Sequence, residues 1–153
     1  MTKKNLNEEY STQLMTEENL PFFNAVRNSC VDILHDGNSH SLDESIQWFR
    51  ESTPEYYILH FNQENIGYFR TSMYDETYHS IYIGLDLDSR FRGLGHAKES
   101  YPLFMDFIAK EKHIKIFKLR VLKHNHIAFN LYQKIGFKVE GTTEKDYYME
   151  KLI

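Results

Sequence analysis

The sequence predicts an α+β fold: a mixed, mostly antiparallel twisted sheet flanked by about four helices. Three observations carry that expectation. The chain has 153 residues, the size of one compact domain, so residues 1–153 read as a single domain. Its periodicities run in the order α-α-β-β-β-α-β-α-β-β, with a further strand near Ser11–Met15. A strand-helix-strand crossover occurs only late in the chain, which argues against a doubly wound parallel sheet.

Each element has its own signal. Leu20, Phe23, Val26, Arg27, Cys30, Val31 and Leu34 fall at helical spacing, with Thr16 or Asn19 as cap and Pro21 in the first turn. His35–His40 reads as a loop in which Gly37 stops that helix. Ser41 and Glu44 form a capping box opening a short helix through Ile46 and Phe49, closed before Pro54. Tyr56–Phe61, Ile66–Met73 and Ser80–Leu87 are strands rich in β-branched and aromatic residues, joined by polar turns into an antiparallel meander. Leu94, Ala97, Tyr101, Phe104, Met105 and Ile108 make one stripe of a long helix, and Pro102 inside it predicts a kink. Ile114–Leu122 is the next strand. Asn125 caps a helix from His126 to Ile135, ended by Gly136 as a left-handed cap with Phe137 packing back. Lys138–Gly141 and Tyr147–Leu152 form a last strand pair.

Composition narrows the class. The core is ring-heavy, with 11 Phe, 11 Tyr and 1 Trp. A formal charge of −4 and a pI near 6.0 give no basic field for nucleic acid or anionic lipid. Lys115, Lys118, Arg120 and Lys123 form a short basic stretch, but strand alternation divides them between two faces. The single cysteine, Cys30, cannot staple the chain or build a thiolate metal site, and the histidines show no metal-ligand spacing. No apolar run is long enough for a membrane span, and the start lacks the apolar stretch of a signal peptide. The expectation is a soluble, cytoplasmic domain without metal, nucleic acid or membrane partners.

The chemistry concentrates where a strand hands over to the long helix, at Arg90-Phe91-Arg92-Gly93-Leu94-Gly95-His96-Ala97. Glycines let backbone N–H groups approach a ligand, and a helix start adds unpaired donors and the positive end of its dipole. With Arg90 and Arg92 the segment describes a phosphate or pyrophosphate site; read alone, it equally describes a plain strand-to-helix turn. It is no Walker loop, because His96-Ala97 follow Gly95, and no dinucleotide fingerprint, because Lys98 stands at the third glycine position.

Further on, Asn125, Ala128, Tyr132 and Gly136-Phe137 follow the strand segment Leu119-Arg120-Val121. The pairing of the two segments resembles the GNAT superfamily of N-acetyltransferases, over about residues 56 to 141. Leu119-Arg120-Val121, Asn125, Tyr132, Gly136-Phe137 and Glu140-Gly141 look most like the ribosomal-protein-alanine and spermidine acetyltransferase branch. The resemblance implies acetyl-CoA as co-substrate and direct attack of an amine on the thioester. It implies that backbone N–H groups from Arg92 to Ala97 (Arg92, Gly93, Leu94, Gly95, His96, Ala97) hold the pyrophosphate. Leu85, Asp86 and Leu87 would pair with the pantetheine arm through their main chain; Gly84 beside them reads either as a bulge that splays the strand or as a weak spot with no role.

Tyr132 matches the residue that protonates the departing thiolate in the family; as a plain helix residue it is a core aromatic. Asn125 is explained by its cap and, by resemblance, also contacts pantetheine or an ordered water. An attacking amine must lose a proton, so a base or a water relay is needed. His79 stands at the spacing from Arg90 at which related histone acetyltransferases carry a glutamate base; the other reading is a surface histidine at a strand edge. Glu76, Asp86 and His124 are further candidates. Arg120 occupies a strand position where some N-terminal acetyltransferases carry a glutamate, which counts against that mechanism here.

The acceptor pocket implied by the resemblance draws on His35, Asp36, His40, Glu144, Asp146 and Tyr147. Acidic groups there suit a cationic small-molecule amine of polyamine, aminosugar or amino-acid type; otherwise these are ordinary loop charges. The alternatives to a small acceptor are a protein N-terminus or a CoA-binding module without catalysis. A homodimer is compatible with all three.

Overall fold

The computed structural model describes residues 3–33 and 37–153, and the expectations for Leu34, His35 and Asp36 lie outside them. The strands are β1 (Lys4–Asn5), β2 (Tyr10–Leu14), β3 (Glu55–Phe61), β4 (Glu64–Asp75), β5 (Ser80–Leu87), β6 (Ile116–Leu122), β7 (Lys138–Thr142) and β8 (Asp146–Leu152). The helices are α1 (Leu20–Ser29), α2 (Leu42–Ser52), α3 (His96–Lys112) and α4 (His126–Ile135). Strands hydrogen-bond in the order β1-β2-β3-β4-β5-β6-β8-β7. The β1/β2, β2/β3, β3/β4, β6/β8 and β7/β8 ladders are antiparallel, and β5/β6 is parallel. A parallel neighbour needs a crossover, and α3 supplies it. The predicted mixed, mostly antiparallel sheet with four helices is present.

The chain falls into two compact units, one running to Thr71 and including Gly84–Ala97, the other comprising Ser72–Ile83 and Lys98–Ile153.

In the first unit α1 and α2 cover an aromatic core. Met15, Leu20, Phe23, Val26, Cys30, Ile58 and Tyr68 are buried together, with Trp48, Phe49 and Tyr56 packed against them. The Phe23 and Trp48 rings stack at 5.1 Å between centroids. Ser41 Oγ accepts from the Glu44 N–H and the Glu44 carboxylate accepts from the Ser41 N–H, so the capping box is formed. β3 and β4 join through Asn62 and Gln63, both left-handed (φ 47° and 69°), a two-residue hairpin.

In the second unit Tyr101, Phe104, Met105 and Ile108 of α3 are buried, as are Phe117, Leu119 and Val121 of β6. Gly136 caps α4 with φ 113°, and Phe137 beyond it is buried, as the sequence required. Pro102 lies inside α3.

Several boundaries move. α1 ends at Ser29 with Cys30 as its cap, so Gly37 does not stop it. β6 begins at Ile116, after the buried Ile114. The helix expected to include Leu94 starts at His96, and Leu94 is 65% exposed. Gly93 and Gly95 both take positive φ, which no α-helix contains. No signal in the sequence pointed to β1.

Candidate functional site: the glycine turn and the helix that carries Tyr132

In the first unit β5 hands the chain to α3 through a short, ordered turn. Asp88 begins it: its N–H donates to the Ile66 carbonyl (2.9 Å) and its Oδ1 accepts from the Arg90 N–H (3.1 Å). Arg90 Nη2 returns to Asp88 Oδ2 at 3.1 Å. Burial pushes the Asp88 carboxyl up, but the hydrogen bonds and charge of Arg90 outweigh it and hold the group below its ordinary range.

Gly93 and Gly95 follow with φ of 73° and 87°. A Cβ built on either meets no atom within 4 Å. These glycines are therefore required by backbone conformation, and the space their missing side chains leave is open. Together with the free N–H groups at the start of α3, this is a backbone surface that admits a bulky anion such as a pyrophosphate. The residues present fit the phosphate end of a CoA-type molecule.

The side chains flanking the glycines are held by protein groups. Arg92 Nε donates to the Leu87 carbonyl (3.1 Å), and its Nη2 lies 3.2 Å from the Ser29 carbonyl and 2.7 Å from Cys30 Sγ. His96 is 8% exposed; its Nδ1 lies 2.7 Å from the Tyr10 hydroxyl, and its ring centroid is 4.5 Å from that of Phe61. Burial pushes the Cys30 thiol up, Asp86 adds to that, and the Arg92 guanidinium opposes it.

At the end of β5, Leu85 and Leu87 are half-buried and Asp86 is buried. Asp86 Oδ2 is 3.1 Å from Arg70 Nε. That guanidinium lies over Gly84, where a Cβ would fall 2.6 Å from Arg70 Cζ. Close approach of an arginine accounts for this glycine. Tyr68, buried beside Asp86, has its hydroxyl pKa pushed well up, by burial first and then by the Asp86 charge.

In the second unit Asn125 Oδ1 accepts from the Ala128 N–H at 3.3 Å, the expected cap of α4. Tyr132, half-buried, lies two turns further along this helix. The Tyr101 hydroxyl donates to the Tyr132 oxygen at 3.3 Å, and the rings meet edge-on at 5.5 Å. Accepting such a bond favours the phenolate that loss of the Tyr132 proton would leave. The Tyr132 carbonyl accepts from both Gly136 and Phe137, and Lys151 Nζ donates to the Ile135 carbonyl at 2.7 Å. The helix end is thus fixed by a glycine cap and by a lysine of β8.

His79 lies before the first residue of β5. It occupies the turn before β5 with φ 54°, and its carbonyl accepts from Lys115 and Ile116. At about 3.3 Å per residue, roughly 20 Å of strand separates it from Leu85. Asp146 is likewise drawn inward, its N–H donating to Thr143 Oγ1 at 3.0 Å, whereas Glu144 is exposed. His40 is bound on both backbone atoms by the Asn28 side chain at 2.8 Å.

Among the described residues no helix is long and apolar enough to cross a membrane. A comparison with curated proteins finds no match. Solved structures match over nearly the whole chain at low identity. A ribosomal L7/L12 α-N-protein acetyltransferase in complex with coenzyme A has a TM-score of 0.83 and 16% identity, covering 99% of this chain and 98% of that one. A dodecameric spermidine N-acetyltransferase from Vibrio cholerae has a TM-score of 0.80 and 17% identity over 95% of each chain. A microcin C7 self-immunity acetyltransferase in complex with acetyl-CoA and AMP has a TM-score of 0.78 and 14% identity, over 97% of this chain and 94% of that one. At these identities the likeness shows the fold. The sequence itself matches the acetyltransferase (GNAT) family model over residues 12–137, and on that match the chain belongs to the GNAT acetyltransferases.

Proposed function

We propose that this GNAT member transfers the acetyl group of acetyl-CoA to a primary amine of a small molecule, by direct attack and without a covalent enzyme intermediate. The observation that carries the reading is the glycine turn: two left-handed glycines with open space at their Cβ positions, immediately before α3. Acetyl-CoA supplies an acyl group already activated as a thioester. The N–H groups from Arg92 to Ala97 bind its pyrophosphate, and the backbone of Leu85–Leu87 aligns its pantetheine arm. The Leu87 carbonyl also accepts from Arg92 Nε, which ties the end of β5 to the turn. Asn125 holds the first turn of α4 and so the direction in which Tyr132 projects. Tyr132 gives its phenolic proton to the departing thiolate. The amine's proton leaves through water; His79 is not assigned to this step.

A polyamine, an aminosugar and an amino acid all present the required amine, and a protein N-terminus is the competing acceptor. A thiol-release assay across these classes, with acetyl-CoA binding followed by calorimetry, tests the reading. Release with a small amine at a kcat/KM at least tenfold above that with peptides is the expected result. Preference for a peptide N-terminus moves the protein to the second acceptor class. Binding of acetyl-CoA without release by any acceptor leaves a binding module, and absence of binding removes the reading altogether.

A further inference from the structure

The two residues that bracket the glycines are engaged elsewhere in the first unit, and their partners have a common consequence. Arg92 directs its Nε–Nη2 edge, the edge best suited to a bidentate anion, at protein groups: the carbonyl closing β5 at Leu87, the last carbonyl of α1 at Ser29, Ser29 Oγ at 3.3 Å and the buried Cys30 thiol. A cation at this end of α1 also meets the negative end of the helix dipole. On the other side His96 is inserted among Tyr10, Phe61 and Phe91. Between these anchors lie only Gly93, exposed Leu94 and Gly95, with nothing near the glycine Cβ positions. Left untethered, such a segment would lose much backbone freedom on closing around a ligand.

We propose that Arg92 and His96 are positioning residues that clamp the glycine turn from both ends, so that its N–H groups are preorganised before any anion arrives. The proposal rests on the acetyl-CoA reading for the identity of the anion, though not for the clamp itself. Arg92 acts through its span. The forked guanidinium reaches a strand end and a helix end together, which a lysine ammonium, a single point, cannot do. Preorganisation then raises affinity by removing an ordering cost.

Amide hydrogen exchange in the free protein, over the segment containing Gly93–Ala97, reads the clamp without ligand. Arg92→Met should speed exchange there about tenfold or more, and Tyr10→Phe, which removes the His96 partner, about threefold. Calorimetry with acetyl-CoA gives the second readout. Arg92→Met should weaken binding about tenfold and Arg92→Lys should not restore it. Cys30→Ala should weaken binding about threefold alone and add nothing to Arg92→Met, because both variants disable the same tether. The proposal is overturned if turn exchange is unchanged in Arg92→Met. It is equally overturned if Arg92→Lys restores wild-type affinity and the Cys30 and Arg92 effects simply add, the pattern of a direct phosphate contact. If the wild type does not bind acetyl-CoA, the functional reading fails, and the exchange result still decides the clamp.

Discussion

The glycines at positions 93 and 95 and the glycine at position 136 share one backbone requirement and differ in everything around it. All three sit at positive φ, where a side chain is strained. At Gly136 the surroundings are filled: a Cβ would stand 3.3 Å from Lys151 Cε, and both flanking peptide groups are hydrogen-bonded into the end of α4. At Gly93 and Gly95 the corresponding space holds nothing. A left-handed glycine is therefore not a sign of function by itself. The turn before α3 is open where the end of α4 is filled.

Substitutions can break that contrast. The largest effect is expected from Gly93→Asp, which brings a carboxylate and a strained φ into the proposed anion site. Acetyl-CoA affinity measured by calorimetry should fall at least about a hundredfold, with the circular dichroism spectrum unchanged. Retained affinity would mean that the open space is not where the phosphates go. Next is Tyr132→Phe, which keeps the ring packed against Tyr101 and removes the proton. Steady-state kinetics should show kcat down by about a hundredfold and KM for acetyl-CoA within about twofold. An unchanged kcat would leave Tyr132 as packing alone.

Gly136→Ala sharpens the other side of the comparison. Forcing a Cβ into the left-handed region should cost about 1–2 kcal/mol, lowering Tm by about 2–6 °C, with cofactor affinity unaffected. The smallest effect belongs to Asp88→Asn. The folded-state carboxyl is depressed by Arg90, so its stabilisation is present above the unfolded value, near 3.9, and is lost as pH falls through the lower folded value. The variant should melt slightly below the wild type at pH 7, and the two curves should converge on acidification.

Local rules read much of this molecule. β5 and α4 occupy the residues assigned to them because Ser80–Leu87 alternates with β-prone side chains, and because Asn125 and Gly136 mark both ends of one helix. What escaped depends on distant partners. The tether of Arg92 exists only because α1 delivers Ser29 and Cys30 to it. Gly84 lies under Arg70 of a different strand, a contact that no local pattern announces. β1, two residues paired with Ser11 and Thr12, is too short for any pattern to declare it.

The order of strands in the second unit also constrains how it is assembled. β8 follows β7 in the chain yet lies between β7 and β6, pairing with both. The segment directly after α4 therefore has no edge to join until the following strand has arrived. That same strand carries Lys151, which holds the last carbonyl of the helix bearing Tyr132. Closing this sheet is an insertion that comes late along the sequence, and long-range pairings of this kind form slowly. Protection of the α4 end should rise together with β8 pairing during refolding, making the maturation of Tyr132's surroundings a kinetic event governed by one strand.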